Sequence, residues 1–124
     1  MNKKQAVSYI IFFVIALCCS NANADKWTSR DTAYQGTAIT LLAVDWLQTK
    51  EIARNPEYHE TNPILGRNPK QSEVDLYFAG CAIGHTLVAY YLPQKYRRWW
   101  QYVWIGVQSG YVCQNINMGV RIAF

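Results

Sequence analysis

The sequence predicts an all-α protein, a three-helix membrane-associated bundle that follows a cleavable secretory signal peptide. Three observations predict this fold. Residues 1–24 have the order of parts found in a signal peptide. Turn-forming residues at 55–70 and at Pro93 divide the rest of the chain into three segments. The second and third segments are apolar over lengths that suit a membrane span.

The N-terminal segment contains the three consecutive parts of an export signal. Lys3 and Lys4 form a basic start, and the run from Ala6 to Cys19 contains no charged residue. Ala22 and Ala24 then occupy the small-residue positions that a signal peptidase reads. Because the apolar run is shorter than the roughly 20 residues of a membrane span, we expect cleavage after Ala24. The alternative is that the segment is retained as an anchor helix.

Cleavage would leave a single domain of residues 25–124 with ten basic and eight acidic side chains, a net charge of +2. Its basic residues are scattered except around Arg97 and Arg98, so we expect no nucleic-acid partner. Cys81 and Cys113 remain in this domain. In an oxidising compartment they could form a disulfide, and the alternative is two buried free thiols.

Turn and capping residues set the predicted helix bounds. Ser29 or Asp31 can cap the first helix. Pro56 and Pro93 end the first and second helices, because the residue before a proline avoids helical geometry. The helices are predicted near residues 31–54, 72–92 and 97–117, with a loop of turns between the first two.

The second and third helices have features of helices inserted in a membrane. From Val74 to Leu92 the second helix is dominated by apolar residues, long enough to span with some tilt. Each helix also carries two glycines four residues apart, a spacing that lets membrane helices approach closely. These predicted helix-packing residues are Gly80, Gly84, Gly106 and Gly110.

Basic and aromatic residues open the third helix, a mixture typical of the level of the lipid headgroups. The predicted interface belt consists of Lys95, Arg97, Arg98, Trp99 and Trp100. We therefore expect membrane lipid as a partner and the inner membrane as the location. Basic residues balance on the two sides of the predicted spans, so they indicate no orientation. A soluble periplasmic bundle is the alternative, because a cleaved signal of this form is unusual for a multispan protein.

Polar residues inside the apolar helices are the candidate catalytic groups. If the polar faces converge, Asp45, His85 and Gln108 lie along one seam, where Asp45 could orient His85 as a base or proton relay. The alternative is that these groups only hydrogen-bond and set the helix register. Glu60 is a further candidate, with bracing of the loop as its alternative role. No spacing of ligands indicates a metal, and no motif indicates a cofactor.

Several stretches of the sequence resemble a known group, small, uncharacterised exported or membrane proteins of bacteria and their phages. These stretches are Asp45-Trp46-x-Gln48-Thr49, then the loop Glu60-x-Asn62-Pro63-Ile64-Leu65-Gly66, and then Tyr77-Phe78 and His85. The similarity extends over most of residues 25–124. It implies a helical membrane-associated fold and no particular activity.

Together these features predict a small non-enzymatic protein of the cell envelope that acts through membrane or protein contacts. The alternative is a membrane enzyme or transporter component that uses an intramembrane pair of Asp45 and His85.

Overall fold

A computed structural model describes residues 25–122. It contains three α-helices, α1 (Ser29–Arg54), α2 (Gln71–Tyr91) and α3 (Gln94–Asn117), and no strand among the described residues. The prediction of an all-α fold with three helices is confirmed. The predicted signal peptide lies outside the described residues.

Two helices begin earlier than the sequence predicted. Thr28, rather than Ser29 or Asp31, caps α1: its hydroxyl accepts from the Asp31 N–H at 3.2 Å, and the Asp31 carboxylate accepts from the Thr28 N–H at 2.8 Å. This reciprocal arrangement is a capping box. The third helix begins directly after Pro93, whose fixed φ suits the start of a helix. The basic cluster at Arg97 therefore lies inside α3 and does not mark its beginning.

The helices α1 and α3 run parallel to each other. Near their beginnings the Gln101 side chain donates to the Asp31 carbonyl at 3.1 Å, and near their ends the Asn115 side chain donates to Asp45 at 3.1 Å. Most contacts between helices involve α1, which lies between the other two. Both contacts are polar, so polar side chains hold α3 on α1.

An apolar core joins α1 to the antiparallel helix α2. Leu42 of α1 packs with Val74 and Phe78 of α2, and the Trp46 ring stacks on Phe78 with centroids 5.9 Å apart. The Trp46 indole also donates to the Asp75 carboxylate at 2.8 Å. Burial of these apolar side chains is the main favourable contribution to the packing of α2 on α1.

The predicted glycine contact between α2 and α3 does not form. A side-chain carbon added at any of the four positions would meet no atom within 4 Å, so no helix backbone approaches them. Both α2 and α3 pack against α1, and their contact with each other is slight. The glycines in question are Gly80, Gly84, Gly106 and Gly110.

The C-terminal tail folds back onto the end of the bundle. Gly119 adopts a φ of 80°, a left-handed conformation that glycine tolerates, and its carbonyl accepts from the Tyr58 hydroxyl at 3.2 Å. Val120 is then buried. This turn ends α3 and seats the tail against the loop that follows α1.

The expectation of membrane-spanning helices is not supported. Within residues 25–122, none of the three helices combines the length and the apolar character needed to cross a bilayer. In α3 the reason is the four glutamines and two asparagines that interrupt its apolar residues.

Candidate functional site

Most of the side chains that are buried within residues 25–122 are polar. Ten polar or charged side chains are buried there, against seven apolar ones, and all of the polar ones except His85 lie on α1 or α3. Nine of these ten polar side chains form two clusters, and Gln108 lies between the clusters. We call the first the arginine end: Asp31, Gln35, His85, Arg97 and Gln101. We call the second the carboxylate end: Asp45, Gln48, Thr49, Glu60 and Asn115.

Arg97 is the centre of the arginine end. Its side chain is completely buried and forms an ion pair with Asp31, with Nη1 and Oδ2 3.0 Å apart. Its Nε donates to the Ala89 carbonyl at 2.7 Å and its Nη2 donates to the Asp25 carbonyl at 3.0 Å. The guanidinium also lies 5.0 Å from the centre of the Trp27 ring. One side chain of α3 thus binds the start of α1 and the end of α2.

The Asp31 carboxylate stays ionised at this position. Burial alone would raise its pKa, but hydrogen bonds from Thr28 and the neighbouring Arg97 outweigh burial and lower the pKa below its usual value. Such a buried pair needs both partners, because a lone charge in the interior is costly. The pair therefore has a structural role.

His85 is held by an amide and two indole rings. Gln35 Nε2 donates to His85 Nδ1 at 3.1 Å and to the Thr86 hydroxyl at 3.0 Å. Trp100 stacks on the imidazole at a centroid distance of 5.3 Å, and Trp104 lies at 4.9 Å. Because Nδ1 accepts here, the proton of the neutral ring is on Nε2, which is buried without a partner.

Burial lowers the pKa of His85 to about 4. The imidazole is therefore neutral at pH 7, and it has no acidic neighbour to stabilise a positive charge. Such a ring is a poor proton relay near neutral pH, because a relay needs a pKa close to the working pH.

Asp45 lies at the carboxylate end without a basic partner. Asn115 Nδ2 donates to Asp45 Oδ1 at 3.1 Å and to Gln48 Oε1 at 3.2 Å. No basic side chain of the described residues forms an ion pair with Asp45. Burial raises the pKa of Asp45 to about 7, the charge of Glu60 adds to the rise, and hydrogen bonds from Asn115 and Thr49 oppose it. This carboxyl therefore keeps its proton to a higher pH than an exposed aspartate does.

The loop after α1 brings Glu60 to this end. Glu60 Oε1 accepts from the backbone N–H groups of Thr61 and Asn62, both at 2.8 Å, while Oε2 is buried without a partner. Asn62 in turn donates to the Tyr77 hydroxyl of α2 at 2.9 Å and accepts from the Ile64 N–H at 2.9 Å. The Glu-x-Asn part of the loop therefore braces the turn against α2, as its bracing interpretation expects.

The structure separates Asp45 from His85. His85 binds Gln35, which lies ten residues before Asp45 on α1, or about 15 Å along a helix axis. The predicted seam is therefore divided, and Asp45 does not orient His85. Gln108 lies between the two clusters and leaves its buried Oε1 without a partner. Among the candidate residues, the structure brings together Asp45 and Glu60.

The predicted interface belt is also divided. Arg97 and Trp100 face the interior, where Trp100 Nε1 donates to the His85 carbonyl at 3.2 Å. Lys95 and Trp99 are exposed, and Arg98 is half-buried.

Sequence reasoning missed the ion pair of Arg97 with Asp31. A signal was present, since Arg97 precedes Gln101 by four residues and therefore shares the polar face that Gln101 and Asn115 predict. The sequence could not show which acidic residue faces Arg97, because that depends on the parallel packing of α1 and α3.

Cys81 and Cys113 are free thiols, so of the two alternatives the disulfide does not form; they are not both buried, since Cys113 is exposed and Cys81 is half-buried. Among residues 25–122, no three His, Cys, Asp or Glu side chains are grouped so that they could hold a metal ion.

No protein-family model, curated protein or solved structure matches this chain.

Proposed function

We propose that this chain is a small non-enzymatic protein of the cell envelope, which is exported by its N-terminal signal peptide and acts through contacts with membrane lipid and with a protein partner. The inner membrane is the proposed location. The observation that carries this proposal is the distribution of side chains, with polar groups inside and large apolar groups outside.

The exposed apolar groups support the proposal of surface contacts. Leu76 and Ile83 on α2 are 77% and 63% exposed, and Trp99 and Val103 on α3 are 65% and 59% exposed. Proteins that work alone in water seldom expose many large apolar side chains together, and such patches are typical of surfaces that bind membranes or proteins.

The buried polar groups support a structural role for the interior. The arginine end ties the three helices together through Arg97, and His85 is neutral and enclosed by two indoles. These contacts determine which way each helix faces, and so which side chains remain outside.

Sedimentation of cell envelopes in a neutral buffer of low salt tests the proposal. We expect the processed chain, beginning at Asp25, to sediment with the envelope. A double variant Ile83→Ser/Val103→Ser should shift it to the soluble fraction, because it removes apolar area from both exposed helices. Ile64→Ser, which changes an equally exposed residue of the loop, is the matched control. Recovery of the wild-type chain only in the soluble fraction would contradict the proposal.

A second candidate function is proton-coupled chemistry at the carboxylate end. It is favoured by the pKa of Asp45, which burial and the neighbouring Glu60 raise to about 7, the range suited to a general acid or base. If this function is correct, Asp45→Asn abolishes complementation of a deletion strain while the amount of protein in the envelope is unchanged. Full complementation by Asp45→Asn would exclude it.

A further inference from the structure

A cleft with basic and aromatic walls lies at the beginning of α3. Its volume is about 430 Å³, and it is lined by Gln94, Lys95, Arg98, Trp99 and Tyr102. These positions share one face of the helix, so the first two turns of α3 present their charges together.

No carboxylate of the described residues forms an ion pair with Lys95 or Arg98, although the Asp25 carboxylate accepts from the backbone N–H of Gln94 at 2.8 Å. Each ion pair of the described residues involves Lys50, Arg54 or Arg97, so Lys95 and Arg98 are unpaired. Lys95 Nζ lies 5.9 Å from the centre of the Tyr96 ring. Arg98 Nε is enclosed by the protein, so the terminal N–H groups of the Arg98 guanidinium are the donors available to a ligand in the cleft.

A third basic residue adds its charge from α1. The Tyr102 hydroxyl donates to the Tyr34 hydroxyl at 3.1 Å, which joins the cleft wall to α1. That hydrogen bond is the main cause that raises the pKa of Tyr102, and the positive charges of Arg98 and Arg30 oppose it. Arg30 therefore lies near enough to contribute to the positive potential at the cleft.

The surroundings of the cleft favour a ligand with an apolar part. Trp99 is exposed beside the cleft, and Val103 and Val107 follow it at four-residue intervals along the same face of α3. This stripe of exposed apolar side chains leads directly away from the basic group, so a ligand with a charged head and an apolar chain would fit both.

We propose that this cleft binds the phosphate group of an anionic phospholipid, with Lys95 and Arg98 as the contacts to phosphate and Trp99 beside the upper part of the acyl chains. Arginine holds phosphate through paired N–H groups, lysine contacts it as a point charge, and tryptophan is typical of this depth in a lipid layer. The site rests on the proposed function, because it gives the lipid contact of that function a specific location.

Vesicle co-sedimentation of the purified chain tests the site. Wild-type protein should bind vesicles of phosphatidylcholine mixed with phosphatidylglycerol more tightly than vesicles of phosphatidylcholine alone. Lys95→Gln/Arg98→Gln should weaken binding to the mixed vesicles about tenfold or more. Arg67→Gln/Lys70→Gln removes the same charge from two exposed loop residues and should leave binding unchanged. Circular dichroism of each variant checks that it is folded.

Four results would overturn the site. Equal weakening in both double variants would show that total charge alone attracts the protein. Displacement of the protein by inorganic phosphate, with no preference for the mixed vesicles, would make free phosphate the ligand. If wild type and Lys95→Gln/Arg98→Gln bind both kinds of vesicle equally well, the protein contacts lipid but not through this cleft. The proposed function would then hold and the site would not. If wild-type protein binds neither vesicle, the lipid contact of the proposed function fails as well.

Discussion

The arginine end and the carboxylate end both bury polar groups, but they differ in whether a buried charge has a partner of opposite sign. At the arginine end, Arg97 and Asp31 neutralise each other 3.0 Å apart. At the carboxylate end, Asp45 is buried near Glu60, and amides rather than a cation contact it. A charge with an ionic partner is retained over a wide pH range, whereas a buried charge without one is avoided by taking up a proton. The first end is therefore a fixed anchor, and the second is sensitive to pH.

The largest expected effect is at the arginine end. Arg97→Met should destabilise the protein by about 3–5 kcal/mol, because it leaves Asp31 buried without its partner. Urea unfolding at pH 7 measures the change. Lys50→Met is the matched control, since Lys50 pairs with Asp75 at a distance of 3.0 Å on a partly exposed surface. Solvent screens that pair, so the loss of stability in Lys50→Met should be much smaller than in Arg97→Met. Equal losses in the two variants would contradict the anchoring role of Arg97.

The next effect is at the carboxylate end and has the opposite sign. Because the folded protein raises the pKa of Asp45 from 3.8 to about 7, it holds a proton that the unfolded chain releases between these values. The contribution of Asp45 to stability therefore falls as pH rises from about 4 to 7. Asp45→Asn should remove this fall and stabilise the protein above pH 7 by up to about 4 kcal/mol.

Urea unfolding of wild type and Asp45→Asn at pH 5 and pH 8 measures this difference. Glu57→Gln, which changes an exposed carboxylate of the nearby loop, is the control. A stability difference between Asp45→Asn and wild type that is the same at both pH values would show that Asp45 does not titrate in this range.

The smallest of the three effects concerns His85. Burial lowers its pKa from 6.5 to about 4, so the unfolded chain takes up a proton between these values and the folded protein does not. The contribution of His85 to stability is then lost as pH falls from about 6.5 to 4, by up to about 3 kcal/mol. His85→Gln should remove this contribution, so that its stability falls as pH rises from about 4 to 7, whereas His59→Gln, at an exposed position, should have the pH profile of wild type. A pH profile of His85→Gln that matches wild type would contradict this assignment.

The contributions of Asp45 and His85 oppose each other over the same pH interval. In wild type they should largely cancel between about pH 4.5 and 6.5, and each single variant should show the slope of the other group. The two clusters lie at different ends of α1, so the double variant should be close to the sum of the single variants.

Much of the secondary structure could be predicted, because it depends on local signals. Pro56 and Pro93 end helices through the geometry of their own peptide bonds, and Asp31 acts in a capping box with a residue three positions away. Gln101, Gln108 and Asn115 recur every seven residues and therefore share one face of α3, and all three are buried. The approach of Asp45 to Glu60 could not be predicted, because it depends on how the loop folds over the end of α1.

The glycine pairs show where reasoning from spacing fails. Gly80 and Gly84 on α2 match the depth of Gly106 and Gly110 on α3, which predicts a contact if the two helices pack on each other. In the structure α1 lies between α2 and α3, and each of these two helices packs mainly against α1. Spacing along one helix tells which residues share a face, but it does not tell which helix that face meets.

The sequence by itself determined three helices, their approximate ends and the polar face of α3, since these follow from backbone geometry and helical periodicity within each segment. Only the tertiary structure decided that α1 is central, that Arg97 pairs with Asp31 and that Asp45 is separated from His85. Those outcomes depend on contacts between residues as many as 70 positions apart. Which of these contacts form depends on the relative free energies of alternative ways to pack whole helices. No local sequence pattern contains that information.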